Sequence, residues 1–124
     1  MRVLVTGVTG FLGGRVAGAL ADRGHAVTGF VRDPQAWTGR PAGASVAVGD
    51  VLDPDAVRSA VDGHDAVVHA AALVKLWVAD RGAFERVNVG GLRNVLAAAG
   101  HAGARVLWSS SFFALGPTDG TTLD

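Results

Sequence analysis

"VTGVTGFLGG", residues Val5 to Gly14, decides how the rest of the chain is read. Before it stands "RVLVT" (Arg2–Thr6), a short β-branched run of the kind that forms a strand buried on both faces. After it comes "FLGGRVAGALADR" (Phe11–Arg23), where Leu12, Val16 and Leu20 recur at i+4 spacing along one face of a helix. Gly7, Gly10 and Gly13, three residues apart, occupy the junction. Gly7 suits a tight turn whose backbone other residues resist. Gly10 lets the main chain approach a pyrophosphate with no Cβ in the way, and Gly13 lets the helix pack hard against the sheet. The helix N-terminus then presents unpaired N–H groups and a partial positive charge to phosphates. The common dinucleotide fingerprint has its first two glycines two apart, so the turn here is one residue longer. No Gly-Lys-Ser/Thr follows, which argues against a P-loop.

Outward from this turn, strands and helices alternate. "AVTGFV" (Ala26–Val31) reads as a second strand after the stop at Gly24, and "SVAVGD" (Ser45–Asp50) as a third, with residues 32–43 a loop. Asp53-Pro54 opens a helix by the N-cap-then-proline rule, running to about Val61. "DAVVHAAA" (Asp65–Ala72) is a fourth strand. "DRGAFERVNVGGLRNVLAAAG" (Asp80–Gly100) is a long helix with Phe84, Val87, Leu92, Val95 and Leu96 inward, and "ARVLWSS" (Ala104–Ser110) is a fifth strand. Strands separated mostly by helices need crossover connections and hence parallel pairing. The expected fold is α/β, a Rossmann-type doubly wound parallel sheet in the order 3-2-1-4-5.

Composition narrows the classes. The 124 residues fit one compact domain, spanning 1–124, and 49% are hydrophobic, which excludes a disordered tail. Eleven basic and eleven acidic side chains balance to zero, giving no support for a nucleic-acid or membrane-surface partner. There is no cysteine, hence no disulfide framework or thiolate metal site, and His25, His64 and His101 show no metal-ligand spacing. No apolar run approaches the ~20 residues of a membrane span. Thr6 and the spaced glycines break the apolar core of any signal peptide, so the expected setting is cytoplasmic.

"TGVTGFLGG" (Thr6–Gly14) resembles the Thr-Gly-x-x-Gly-x-x-Gly fingerprint of the extended short-chain dehydrogenase/reductase superfamily, the branch of NAD(P)-dependent epimerases, dehydratases and dihydroflavonol-reductase-like enzymes. "GDVLDPDAV" (Gly49–Val57), "VVHAAALV" (Val67–Val74), "FERVNVGGLRNVL" (Phe84–Leu96) and "VLWSSSFFALG" (Val106–Gly116) follow in that family's order. The likeness covers only the family's N-terminal, cofactor-binding half, truncated before the later strands.

The resemblance places cofactor contacts at Thr6, Gly7, Thr9, Gly10, Phe11, Leu12 and Gly13, at the Asp50-Val51 pair beside the adenine, at His69-Ala70-Ala71-Ala72, at Asn88 and at Ser109. Small side chains at Ala70–Ala72 leave room for a dinucleotide. A strand-end histidine satisfied by a backbone partner is expected of His69 ahead of any catalytic role, and Asn88 reads equally as a polar contact on a helix face. At the end of the second strand a carboxylate selects NAD. Val31 occupies that position and Arg32 follows, whose guanidinium can pair with a 2′-phosphate. NADP is therefore expected ahead of NAD, although Asp33 is close and an arginine after a strand is often a solvated surface residue.

Aligned on its trailing glycine, "SSSFFALG" puts Ser111 at the family's catalytic serine. In that family a tyrosine moves the proton, and a lysine four residues on lowers a tyrosine pKa that is otherwise near ~10. No tyrosine occurs in the 124 residues, and Lys75 lies far from the required place. The expected function is thus the cofactor half of an NAD(P)-dependent oxidoreductase or epimerase/dehydratase on a carbonyl or hydroxyl small molecule, inactive alone, with a homodimer in the full-length protein. Trp77 and Arg81 face either the substrate or plain surface. The alternative is a dinucleotide sensor or scaffold module lacking the Tyr-Lys pair. An in-frame Tyr-x-x-x-Lys beyond codon 124 separates the two.

Overall fold

A computed structural model of the chain describes residues 1–74, 77, 79–80 and 82–111. The described strands are β1 (Arg2–Thr6), β2 (Ala26–Val31), β3 (Ser45–Val48), β4 (Ala66–His69) and β5 (Arg105–Trp108). They form one parallel sheet in the order β3-β2-β1-β4-β5, as the sequence predicts. Each of β3, β4 and β5 is shorter than its apolar run. After His69 the chain leaves the ladder, so Ala70–Ala72 belong to a loop and not to the strand.

β1 is buried on both faces because its side chains alternate between two cores. Val3 and Val5 join Val8, Ala17, Val27, Val31 and Trp37 on the side of α1 (Phe11–Asp22). Leu4 joins Phe30, Val57, Val61, Val67, Val95 and Ala99 on the side of α2 (Pro54–Val61) and α4 (Gly91–Ala102). Asp53 caps α2 as its sequence foretells, its Oδ1 accepting from the N–H groups of Asp55 (3.0 Å) and Ala56 (3.2 Å). At the opposite end of the sheet, the Arg2 N–H donates to Asp65 Oδ2 at 2.6 Å, holding that carboxyl below the usual aspartate range.

Two helix faces differ from the periodic reading. The buried face of α1 is Gly13 and Ala17, while Leu12 is exposed. A Cβ at Gly13 would lie 2.2 Å from the Gly7 carbonyl oxygen, so the helix sits too close for a large side chain. Gly13 thus packs on the turn's own backbone, not on the strands. On α4, Leu96 is 46% exposed, and Gly91, Val95, Ala98 and Ala99 fill the interface.

The long third helix is not uniform. It opens with a single turn, α3 (Gly82–Phe84), whose Gly82 N–H donates to Asp80 Oδ1 at 2.9 Å. It then runs as a π-helix over Glu85–Gly90 before α4 begins. The loop after β2 also carries structure. Asp33 caps a one-turn 3-10 helix (Pro34–Ala36), and Trp37 behind it is 5% exposed. The Trp37 ring lies in a notch left by Gly29, where a Cβ would come within 2.2 Å of Cζ3. Truncating a buried tryptophan costs about 3–5 kcal/mol. That outweighs the ~1–3 kcal/mol lost because its Nε1 is buried without an acceptor among the described residues.

Candidate functional site

In a doubly wound sheet the crevice lies beyond the carboxyl ends of the strands, where the chain turns one way after one strand and the other way after its neighbour. Here that point falls between β1 and β4. Gly7 leaves β1 with φ +73°, the left-handed conformation its position demands. A Cβ on it would lie 2.6 Å from Ala70 C and Ala71 N, so the two chain exits touch backbone to backbone. Gly10 N–H donates to the Gly7 carbonyl at 3.0 Å, closing the turn, and no side chain caps α1.

Above this contact lies a cleft of about 280 Å³. Its floor is the glycine turn (Gly7, Thr9, Gly10), and one wall is the end of β2 with Phe30, Val31 and Arg32. Gly49, Asp50, Val51 and Leu52 form a second wall; Ala70–Leu73 and Val87 form the third. Of the residues singled out from sequence, the structure gathers Gly7, Thr9, Gly10, Arg32, Asp50, Val51, Ala70, Ala71 and Ala72 around this space. Among the described residues, Arg32 and Asp50 are the charged ones in its lining.

The other candidates stand elsewhere. Thr6 and His69 are 1% and 4% exposed and lie behind the cleft, not in its lining. Thr6 Oγ1 and His69 Nδ1 share a 2.8 Å hydrogen bond, and the Ala71 N–H donates to the same hydroxyl at 3.2 Å. Burial pushes the His69 pKa down from 6.5, favouring the neutral ring. Gly13 is buried beneath the turn; Phe11 and Leu12 are exposed on α1. Ser109 is exposed, its backbone N–H donating to the His69 carbonyl at 3.3 Å, and Ser111 is exposed beyond β5. Trp77 is exposed, while Arg81 and Lys75 fall outside the described residues.

Asn88 acts on the cleft from behind. Its Oδ1 accepts from the Leu73 N–H at 2.7 Å and its Nδ2 donates to the Leu73 carbonyl at 3.1 Å. This two-point clasp fixes the loop that follows Ala70–Ala72. A similar tether holds the adjoining wall: Asn94 Nδ2 donates to the Val51 carbonyl at 2.9 Å, and Val51 packs over Gly91, where a Cβ would meet its Cγ2 at 3.0 Å. Asp50 Oδ1 accepts from Leu52 N–H at 3.0 Å, shaping the same loop. Sequence reasoning missed Asn94, Gly91 and Leu73 as supports, because each depends on a partner distant in the chain. It also missed Gly49, whose missing Cβ makes room for the Phe30 ring, 2.7 Å from where that atom would stand.

Comparison with known proteins bears directly on this arrangement. Residues 3–123 match the sequence model of the NAD dependent epimerase/dehydratase family. A "3 beta-hydroxysteroid dehydrogenase/Delta 5-->4-isomerase" of Mycobacterium tuberculosis is 42% identical over 117 residues, covering 89% of this chain and 31% of that protein. "Sterol demethylase protein B" of Methylococcus capsulatus is 40% identical over 119 residues, covering 94% of this chain and 36% of that protein. The chain therefore spans about a third of the length of these curated relatives. A crystal structure of a short-chain dehydrogenase/reductase superfamily protein from Agrobacterium tumefaciens, with bound NAD, superposes with a TM-score of 0.77 at 37% identity, covering 90% of this chain and 33% of that one. Among the described residues no helix is long and apolar enough to cross a membrane.

Proposed function

The chain belongs to the NAD dependent epimerase/dehydratase family, and from that premise we propose that it forms the dinucleotide-binding part of an oxidoreductase or epimerase/dehydratase preferring NADP(H) to NAD(H). The substrate class is a small molecule with a carbonyl or hydroxyl group. The observation that carries this reading is the contact of Gly7 with the Ala70–Ala71 backbone beneath the cleft. Neither chain exit carries more than a methyl group at this contact, Gly7 on one side and Ala70 and Ala71 on the other, at the switch point of the sheet, where a dinucleotide is accommodated. Gly10 fits the same purpose. A Cβ there would meet only the Gly7 carbonyl, at 3.3 Å, and the space beside it is otherwise open.

When bound, the nicotinamide cofactor supplies or accepts a hydride. The chain's own residues do the holding. The uncapped start of α1 directs its N–H groups toward the diphosphate, with Gly10 permitting close approach. Asp50, Val51 and Leu52 enclose the adenine side. Arg32 lines the cleft where a 2′-phosphate would be met, while the neighbouring Asp33 Oδ1 accepts from the Gln35 N–H at 2.9 Å. Ser111 hydrogen-bonds the substrate oxygen. None of the 124 residues is a tyrosine, so proton transfer is assigned to none of them, and this stretch alone binds coenzyme without turning over substrate.

Titration calorimetry tests the proposal. Both coenzymes should release heat, with NADP(H) the tighter. No heat from either, with a chain that shows folded circular dichroism, overturns the dinucleotide reading. Equal affinities overturn only the preference.

A further inference from the structure

Asp80 and Arg86 line no part of the cleft, yet they bear on its third wall. Asp80 Oδ1 accepts from the Gly82 N–H at 2.9 Å at the start of α3, and its Oδ2 accepts from Arg86 Nη2. The Arg86 guanidinium holds the Asp80 carboxyl below the usual aspartate range. Gly82 leaves room for the pair: a Cβ there would stand 3.0 Å from Arg86 Nη1 and 3.2 Å from Asp80 Oδ1. Arg86 belongs to the π-helix Glu85–Gly90, and so does Asn88, whose side chain clasps both backbone groups of Leu73. Val87, between them in sequence, lines the cleft together with Leu73. One short helical stretch therefore grips the chain at Leu73, lines the cleft, and grips the chain again at Asp80.

A π turn needs such support. Its i→i+5 bonding is rare and occurs mostly as a local departure from an α-helix. It holds one residue more than an α turn, so everything before it is rotated by about 100° relative to the helix that follows. At its end the Gly91 N–H is shared between the Arg86 and Val87 carbonyls, which leaves the α register within reach. We infer that the Asp80–Arg86 ion pair positions the coenzyme cleft from outside it, pinning the π-helix so that Asn88 keeps its hold on Leu73. The inference rests on the dinucleotide reading above for what the wall serves. Neither charged side chain touches ligand; both act through Asn88 and Leu73. With Arg86 released, the stretch relaxes toward α register, Asn88 turns from Leu73, and the wall loses its fixed place. The two side chains are 58% and 61% exposed, so the effect is modest and sensitive to salt.

The test reads amide hydrogen exchange at Leu73 and Gly82 by NMR, beside calorimetry with both coenzymes, in the wild-type chain, Arg86→Gln and Arg86→Lys. Arg86 is exposed and both replacements favour helix, so neither variant threatens the fold. Arg86→Gln should speed exchange at both amides and weaken coenzyme binding about two- to fivefold, the range an exposed ion pair spans. Arg86→Lys should restore most of both. Salt at about 1 M should speed Leu73 exchange in wild type and leave Arg86→Gln unchanged. Faster exchange at Gly82 with Leu73 and coenzyme affinity unmoved would make the pair a cap for α3 alone; that overturns the inference and leaves the dinucleotide reading standing. Exchange that quickens at Val5 and Val67 as much as at Leu73 overturns it too, as does a loss in Arg86→Lys equal to that in Arg86→Gln. A folded wild type that binds neither coenzyme defeats the dinucleotide reading, and with it the pair's service to a cleft.

Discussion

Thr6 Oγ1 and His69 Nδ1 meet at 2.8 Å on neighbouring strands, directly beneath the point where Gly7 and Ala70 part from the sheet. The same hydroxyl accepts from the Ala71 N–H. One buried side chain thus ties β1, β4 and the loop beyond β4 together. Thr6→Val keeps the shape and strands two polar groups, at a cost of about 1–3 kcal/mol. Thr6→Ser keeps the hydroxyl and forfeits a methyl, about 1 kcal/mol. Urea unfolding should rank wild type above Ser and Ser above Val. A Val variant as stable as wild type would show that the bond contributes nothing.

His69 makes stability depend on pH with a defined sign. Its folded pKa is lowered by burial from 6.5, so below that value the unfolded chain binds the proton more readily than the folded one. Stability contributed by the neutral ring is complete above the unfolded pKa and declines as pH falls through and below 6.5. Urea midpoints should drop between about pH 7 and about pH 5, the interval around the ordinary histidine pKa. In His69→Gln that drop should be shallower; an identical slope would assign the effect to other groups.

Glycines of α1 differ in what they permit. Gly18 has nothing within 4 Å of an added Cβ, so Gly18→Ala should raise stability by about 0.5–1 kcal/mol. Gly13→Ala drives a methyl to 2.2 Å from the Gly7 carbonyl oxygen and should displace the turn, lowering both stability and coenzyme affinity. Thermal melts of the two variants should move in opposite directions. A Gly13→Ala protein that melts like wild type would mean that helix and turn separate freely.

Asn88 is a positioning residue for the cleft wall. Asn88→Ala removes both bonds to Leu73, which should cost about 1–3 kcal/mol and weaken coenzyme binding. Asn88→Asp retains the acceptor for the Leu73 N–H but sets a carboxylate oxygen against the Leu73 carbonyl. Its affinity should recover in part as acid protonates the new side chain. Recovery on acidification in the Asp variant and none in Ala is the signature; parallel profiles would deny the clasp its role.

Arg32→Ala should weaken NADP(H) about tenfold or more while NAD(H) changes little, the loss of one charge-assisted phosphate contact. Calorimetry with both coenzymes decides, and equal losses would assign Arg32 to general charge instead.

What the sequence discloses about this fold is what neighbours in the chain dictate. The Gly7 turn, the Asp53 cap with Pro54 and the burial of β1 on both faces all follow from local stereochemistry, and all are present. The strand order follows from short alternating elements and parallel crossovers. Periodicity misplaced Leu12 because α1 presses on the turn's backbone and turns Gly13 and Ala17 inward; on α4 it placed Val95 in the core but not Leu96, whose expected place is filled by Ala98 and Ala99. The π-helix at Glu85–Gly90 carries no sequence signal, since it is defined by register within the helix and not by residue type. The partners of Asn88 and Asn94 lie 15 and 43 residues away, beyond any local rule.

The gap at Gly29 and the indole of Trp37 are halves of one fitted joint, eight positions apart along the backbone and interlocked in the core. Neither half can drift by itself. A methyl at the first would collide with a ring, while a small residue at the second would leave a hole under β2. Reshaping the nucleotide-side loop in the laboratory must therefore exchange the two together, or begin downstream of the tryptophan.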